Sequence, residues 1–319
     1  MRDSQNRMAN MPRPCMSGGT RFSQSWRGFQ RAADHHVPDE SARSCNRFRP
    51  EFGMGFLPRL HLFELEDLDW FPHVIRNLAT DYLQFIETTF KLHQPVAPLL
   101  RRALERSAMT QVLDLCSGGG GPIVDLFQAL AAAGMNARFT LTDKYPNLPA
   151  FRRVAALHPS EVTFISEPID ARAVPPELTG LRTVFNSFHH FRPEDGRAVL
   201  RCAVQAGQPI AVFEIPERSL VTTILLLLTP LYVALATPFM RPFRWSRLFW
   251  TYVLPLVPFV CWWDGLVSQL RAYTVPELTC LARSVGGTDY EWEVGRVGIG
   301  VTPGHVTYLI GLRSGNNCR

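Results

Sequence analysis

The sequence lacks several features that define common protein classes. Its seven cysteines show no C-x-x-C spacing, which indicates neither a zinc site nor a disulfide framework. Residues 1–50 hold no apolar run of the kind found in a secretory signal. No internal repeat is present. We therefore expect a protein of a reducing cytoplasm without a bound metal, and neither a small secreted scaffold nor a repeat protein.

Outside its N-terminal tail the chain has no excess of either charge. The formal net charge is +5, from 33 basic and 28 acidic residues. Residues 1–50 alone hold nine arginines and four acidic residues, so the tail accounts for the whole excess. The remainder has no basic stripe, and we expect no nucleic-acid partner. The composition predicts a disordered basic tail over residues 1–53; a transit peptide and a start at Met54 are alternative interpretations.

The run VLDLCSGGGGP, residues 112–122, carries the main functional signal. A buried-strand pattern leads into four consecutive glycines and then into a helix-like stretch. Glycines allow a backbone to approach a ligand closely, and the following helix offers free N–H groups, so this turn predicts a nucleotide-like ligand. A dinucleotide fingerprint needs a third small residue where Ile123 stands, which disfavours a nicotinamide-dependent oxidoreductase.

With Asp114, Gly118 and Gly120, this run resembles the first motif of the class I S-adenosylmethionine (SAM)-dependent methyltransferases, roughly V-L-D-L-G-C-G-x-G. Cys116 stands where that family usually has its first glycine. The resemblance implies SAM as cofactor, bound by these four residues.

Later strand ends add polar candidates. Asp143 ends an apolar run about twenty residues after the glycines, where a carboxylate accepts ribose hydroxyls, and Lys144 follows it. The resemblance implies that Asp170 lies near the adenine and that Asn186, at the end of the fourth strand, lies near the methyl donor. Alone, each aspartate could equally belong to a solvated turn.

A histidine pair follows Asn186. Histidine titrates near neutral pH and can accept a proton from a hydroxyl acceptor. In the small-molecule O-methyltransferase branch of the resembling family a histidine at this place is the base, and His189 aligns with it. Similar histidine strings also occur in members that use no such base, so both interpretations remain open.

The fold expected from this resemblance is α/β, a three-layer Rossmann-like sheet of about seven strands with the last antiparallel. The hydrophobic content of 46% over 319 residues is enough for one such core. We expect helices over residues 54–107 to cover the cofactor, a methyltransferase core over residues 108–218 and 264–319, and a hydrophobic helical hairpin inserted between them.

That insertion, residues 219–263, is the unusual part of the sequence. Residues 219–240 carry no charge, and residues 248–263 form a second uncharged run. Prolines argue against straight spanning helices, so we expect a hairpin in the membrane interface; a buried, water-soluble cap is the alternative. Arginines would then face anionic headgroups and tryptophans would lie at headgroup level. These residues are Arg241, Arg244, Arg247, Trp245, Trp250, Trp262 and Trp263.

The sequence thus predicts a SAM-dependent methyltransferase on the cytoplasmic side of a membrane, acting on a hydrophobic small molecule, with O-methylation as one option. A membrane-associated SAM-binding protein without catalysis is the second hypothesis. The acceptor atom and the oligomeric state are not defined by the sequence.

Overall fold

The computed structural model describes residues 58–68, 70–241, 243–286, 289–300 and 302–314. The predicted tail, residues 1–53, lies outside these residues, as does the beginning of the predicted N-terminal cover. From the first strand to the fifth, a helix lies between each pair of successive strands except the third and fourth, which is the pattern of an α/β protein.

The strands form one seven-stranded sheet in the order β3-β2-β1-β4-β5-β7-β6. Strands β1 to β5 pair in parallel, and β7 pairs antiparallel with both β5 and β6. This topology confirms the expected Rossmann-like methyltransferase sheet with its antiparallel last strand. The bounds are β1 (Gln111–Leu115), β2 (Arg138–Leu141), β3 (Val162–Phe164), β4 (Leu181–Phe185), β5 (Ile210–Glu214), β6 (Tyr290–Gly298) and β7 (His305–Arg313).

Helices cover both faces of the sheet. Neighbouring residues of β1, such as Val112 and Leu113, belong to different buried clusters because successive side chains of a strand point to opposite faces. The result is the expected three-layer arrangement. The helices of the described residues are α1 (His73–Thr89), α2 (Ala97–Ser107), α3 (Ile123–Ala132), α4 (Leu148–Leu157), α5 (Pro193–Gln205), α6 (Leu220–Leu227), α7 (Thr229–Ala236), α8 (Trp245–Leu248), α9 (Leu256–Arg271) and α10 (Val275–Ser284).

Local sequence signals explain where several helices begin. Helix α5 begins at Pro193, whose fixed backbone angle suits a first turn. Helix α10 begins after Thr274, whose side chain accepts a hydrogen bond from the Glu277 backbone, while the Glu277 carboxylate binds the Thr274 backbone. This reciprocal capping box satisfies two helix-end donors, as the sequence pattern predicts.

The segment with the uncharged runs, residues 219–263, shares a third buried cluster with α1. Tyr82 and Leu78 of α1 pack there with Val233 of α7 and Val257 of α9. The segment is therefore held against the N-terminal helix, with Tyr82 buried between them.

Bends interrupt the helices of this apolar segment. Among the described residues no single helix is long and apolar enough to cross a membrane. Two helix pairs would pass that test together, and they bend by 50° between Leu227 and Thr229 and by 75° between Val253 and Leu256. Pro230 and Pro255 stand at these breaks, where a missing N–H interrupts the helix. The expected broken helices are therefore present.

Residues 58–68, which we call the strap, precede α1 and lie along α9. The Leu60 N–H donates to the Leu270 carbonyl at 3.0 Å, and the Arg59 Nε donates to the Arg271 carbonyl at 2.7 Å. Asp264 of α9 accepts from the backbone N–H of Leu65 at 2.7 Å. Arg59 and His61 also contact the backbone oxygens of Phe191 and His190, at 2.9 and 3.1 Å, which places the strap beside the histidine pair that follows β4.

One cysteine differs from the prediction that the chain has no disulfide framework. Cys116, Cys202 and Cys261 are free thiols. Cys280 is disulfide-bonded, although the cysteine spacing indicates no disulfide framework.

Candidate functional site

The glycine run forms a tight loop between β1 and α3. Gly118 has φ +53°, Gly120 has φ +97° and Gly121 has φ +38°, all in the region that favours glycine. A side chain added at Gly118 would meet no heavy atom within 4 Å, so the loop borders open space there. The loop therefore has the exposed backbone that a ligand needs for a close approach.

Asp143, just beyond the end of β2, is joined directly to this loop. Its Oδ2 accepts from the Gly118 N–H at 2.8 Å, and its Oδ1 accepts from the Tyr145 N–H at 2.8 Å. These residues meet because β1 and β2 are parallel neighbours, whose carboxyl ends share one edge of the sheet.

Lys144 and Asp170 lie near each other beside Asp143. The Lys144 Nζ is 3.9 Å from the Asp170 Oδ2. Arg172 also binds Asp170, with its Nη2 at 2.7 Å from Oδ2, and this hydrogen bonding lowers the pKa of the Asp170 carboxyl. An adenine bound at Asp170 would therefore have to share the carboxylate with Arg172. The contact of Asp170 with the cofactor stays a prediction.

Asp114 is buried at the end of β1. Its Oδ1 accepts from the Thr183 hydroxyl at 2.7 Å, and burial raises the pKa of the carboxyl to about 7. The side chain thus links β1 to β4 inside the sheet. Cofactor binding through this carboxyl stays a prediction.

Cys116 and Asn186 both have left-handed backbone conformations, with φ +59° and +48°. Asparagine tolerates this region better than most side chains, while cysteine at Cys116 replaces the glycine of the resembling motif. The Cys116 side chain packs against one of the two sheet clusters, and burial raises the pKa of its thiol above its usual range.

The Asn186 amide is fully engaged within the protein. Its Nδ2 donates to Glu87 at 2.9 Å and lies 3.1 Å from the His93 Nε2, while its Oδ1 accepts from the Ile215 N–H at 2.9 Å. Burial raises the pKa of Glu87 to about 7 and lowers that of His93 to about 4. Sequence reasoning missed Glu87 and His93, which lie about 100 residues before their partner in an otherwise ordinary helical stretch.

His189 is buried, and Glu214 orients it. Its Nδ1 lies 2.5 Å from the Glu214 Oε2, and the other Glu214 oxygen accepts from the Phe188 N–H at 2.7 Å. Its Nε2 has no hydrogen-bond partner among the described residues and lies 3.8 Å from the Glu64 Oε1 of the strap. Only 2% of His189 is exposed, so the base role predicted for it stays a prediction.

His190 lies in a charged cluster below the strap. Its Nδ1 is 3.2 Å from the Asp67 Oδ1, and its Nε2 is 3.5 Å from the Glu64 Oε2. Burial alone would lower the pKa of His190, but Asp67 and Glu64 raise it to about 9. Arg271 adds a second positive charge, with its Nη1 at 3.1 Å from Glu64 and 2.8 Å from Asp67.

The arginines of the apolar segment do not all face solvent. Asp81 of α1 binds Arg247 at 2.8 Å and Arg244 at 3.3 Å, and Arg247 is buried. Arg241 is exposed, as is Trp245 at 78%. Three arginines were predicted to face lipid headgroups. Of these, Arg241 is exposed and is not one of the two that pair with Asp81.

No protein-family model matches the chain, and no curated protein matches it in sequence. Among solved structures, the chain is similar to the plantazolicin methyltransferase BpumL in complex with SAH, with 13% identity, a TM-score of 0.47, and coverage of 78% of this chain and 94% of that one. It is also similar to the methyltransferase SibL in its apo form, with 20% identity, a TM-score of 0.41, and coverage of 86% and 67%.

A third similar structure is the mitomycin 7-O-methyltransferase MmcR, with 15% identity, a TM-score of 0.40, and coverage of 70% of this chain. The match covers 53% of MmcR, so the chain spans about half of that protein. The strand order, rather than these low identities and TM-scores, defines the fold.

Proposed function

We propose that this protein is a SAM-dependent methyltransferase that acts on an apolar or lipid-like small molecule at the cytoplasmic side of a membrane. The observation that carries the proposal is the hydrogen bond from the Gly118 N–H to Asp143. This bond holds an open glycine loop and a carboxylate side by side at adjacent strand ends. A nucleoside ligand needs both, because the loop approaches the ligand closely and the carboxylate accepts the ribose hydroxyls.

The residues around the loop fit a SAM molecule. The space above Gly118 accommodates a ligand against the backbone, and Asp143 offers a carboxylate for the ribose hydroxyls. When bound, SAM supplies an activated methyl group on a sulfonium sulfur. The chain's share of the reaction is to align donor and acceptor and to exclude water.

An apolar acceptor is supported by the position of α1. Its Thr80 lies beside the glycine loop, since the Thr80 methyl would stand 3.3 Å from a side chain added at Gly119. The same helix packs through Leu78 and Tyr82 on the apolar segment. One helix thus connects the donor loop to the most hydrophobic surface of the described chain.

Oxygen is the acceptor atom that we propose. Within the part of the chain that the structure describes, the buried Nε2 of His189, just after β4, is left without a hydrogen-bond partner. A buried polar atom without a partner is costly, and an acceptor hydroxyl or a cation that binds one would supply that partner.

A SAM-binding protein without catalysis is the second candidate. The burial of His189 below the strap favours it, because a closed site gives no access to an acceptor.

Calorimetric titration with SAM, its demethylated product and NAD tests the cofactor. We expect binding of the first two only. The Gly118→Ala variant should lose at least tenfold in SAM affinity, because its methyl group enters the open space. Gly134→Ala is the matched control, since Gly134 also has a positive φ, of +79°, and open space but lies at the end of α3. Absence of SAM binding to the wild type would refute the proposal.

Transfer of a labelled methyl group from SAM into a total lipid extract then separates the two candidates. Incorporation supports the enzyme. Tight SAM binding without incorporation into any extract fraction favours the binding protein.

A further inference from the structure

The strap and the histidine pair bring three metal-ligating side chains together. Glu64, His189 and His190 each offer one ligand atom, and these atoms all lie within 4.8 Å of one another. Glu64 is far from the pair in sequence, so the fold alone creates this cluster. It is distinct from the glycine loop, which holds no histidine.

Both imidazole rings present the same nitrogen to the centre of the cluster. The Nδ1 of His189 is next to Glu214, at 2.5 Å, and the Nδ1 of His190 is next to Asp67, at 3.2 Å. For His189, a carboxylate at Nδ1 favours the tautomer that carries its proton there, which leaves a lone pair on Nε2; His190, whose pKa is raised to about 9, would give up its Nε2 proton on binding a metal. Carboxylates in this position are also the usual outer partners of metal-bound histidines.

The Nε2 of His189 and the Glu64 carboxylate then face each other as acceptors with no donor between them. The Nε2 of His189 is 3.8 Å from the Glu64 Oε1, and the Nε2 of His190 is 3.5 Å from the Glu64 Oε2. The Nε2 of His189 is fully buried and has no hydrogen-bond partner among the described residues. Lone pairs that converge in a buried place repel one another unless a cation lies between them.

The spacing suits a metal ion. Zinc lies about 2.0–2.1 Å from nitrogen and oxygen ligands, which places neighbouring tetrahedral ligands about 3.4 Å apart. The observed separations of 3.5 and 3.8 Å need only small side-chain shifts to reach that geometry.

We propose that Glu64, His189 and His190 bind a divalent transition-metal ion, with Glu214 and Asp67 orienting the two histidines. Two imidazoles and one carboxylate are a ligand set of catalytic zinc and of non-haem Fe²⁺ sites, both of which keep an open position. That position would take the oxygen of an acceptor; this last role rests on the proposed function, whereas metal binding does not.

Arg271 is the competing cation. Its Nη1 is 3.1 Å from the Glu64 Oε1 and 3.1 Å from the His190 Nδ1, and Ser268 donates to the same Glu64 oxygen at 3.0 Å. These groups use Oε1, so Oε2 remains for a metal. The alternative is a cluster neutralised by Arg271 and a protonated His190 alone.

Titration of metal-free, full-length protein with Co²⁺ decides between these accounts. We expect one equivalent to bind and to produce visible ligand-field absorption, which Zn²⁺ should abolish. Parallel titrations with Zn²⁺ and anaerobic Fe²⁺ identify the preferred ion. Binding of Mg²⁺ alone, or no absorption with the wild type, would overturn the proposal.

Glu64→Gln and His190→Gln should each weaken Co²⁺ binding at least tenfold, and Glu214→Gln should weaken it about 10–100-fold. His73→Gln, at an exposed histidine of α1, is the matched control and should bind Co²⁺ as the wild type does. Retained binding in both Glu64→Gln and His190→Gln would contradict the assignment. Thermal unfolding shows whether each variant folds, and Zn²⁺ should raise the Tm of the wild type but not of a folded Glu64→Gln variant.

The outcome for the metal is separable from that for SAM. Calorimetry with SAM is run on the metal-free protein, so a failed metal site leaves the donor result intact, and the reverse also holds.

Discussion

At the scale of single residues, Cys116 shows how the donor loop departs from the motif that it resembles. Its left-handed backbone, with φ +59°, is the conformation that a glycine adopts without strain. A side chain there costs about 1–2 kcal/mol, but the thiol packs on the sheet rather than across the loop. The cysteine therefore stores strain without placing its side chain in the space above Gly118.

Asp114 makes the stability of the protein depend on pH. Burial raises the pKa of its carboxyl from 3.8 to about 7, so the folded state holds its proton longer than the unfolded state does. The destabilising effect of Asp114 is therefore absent below the lower pKa, and the free energy of unfolding falls as pH rises between the two values, by roughly 4 kcal/mol. Asp114→Asn removes this loss, and the variant should gain stability relative to the wild type over that range.

Urea unfolding at several pH values measures the difference in free energy of unfolding between the wild type and Asp114→Asn. The contributions of other titrating groups cancel because both proteins contain them. Thr183→Val provides the control, since it removes a hydroxyl that lowers the Asp114 pKa and should move the loss to higher pH. A difference that stays constant with pH would show that Asp114 does not titrate there.

At the scale of elements, Asp81 joins α1 to the apolar segment. It binds Arg247, which is buried, and the more exposed Arg244. Asp81→Asn leaves the buried guanidinium with less compensating charge and should reduce the free energy of unfolding by about 2–4 kcal/mol. Chemical denaturation measures the change.

Glu105→Gln is the control for removing a carboxylate. Glu105 pairs with Arg101 on the exposed face of α2 at 2.7 Å, and its loss should cost less than about 0.5 kcal/mol. Equal effects of the two substitutions would mean that Asp81 contributes no more than a surface ion pair.

The elements also show which features were predictable. The meeting of Asp143 with the glycine loop follows from strand order, because the ends of parallel strands share an edge. The contact of Asp81 with Arg247 spans 166 residues and joins two polar side chains, so no periodic pattern marks it. The sequence likewise predicted no metal, because Glu64 approaches the histidines only through the strap.

At the scale of the whole molecule, hydrophobic exposure is concentrated in one region. Of the 27 large hydrophobic side chains exposed among the described residues, 18 lie between Leu220 and Phe259. A patch of this kind is typical of a contact surface. We expect the full-length protein to float with phosphatidylcholine–phosphatidylglycerol vesicles in a density gradient.

The double variant Leu231→Glu, Leu235→Glu should reduce vesicle binding at least tenfold, since each exposed leucine that enters lipid contributes about 1.5–3 kcal/mol. Leu157→Glu is the control, because Leu157 is 70% exposed on α4, outside the apolar segment. Equal flotation of the double variant and the wild type would argue against this surface. A wild-type protein that stays out of the vesicles and sediments as a dimer would assign the patch to a second copy.

The position of β7 has a consequence for synthesis. Although β7 follows β6 in the chain, it lies between β5 and β6 in the sheet. A growing polypeptide that has left the ribosome as far as β6 therefore has no partner for that strand, and the outer edge of β5 stays open. Until residues 305–313 emerge, the nascent protein carries the open edge of β5 and an unpaired β6 together with its apolar segment, and this is the interval in which a chaperone or a nearby bilayer would protect it best.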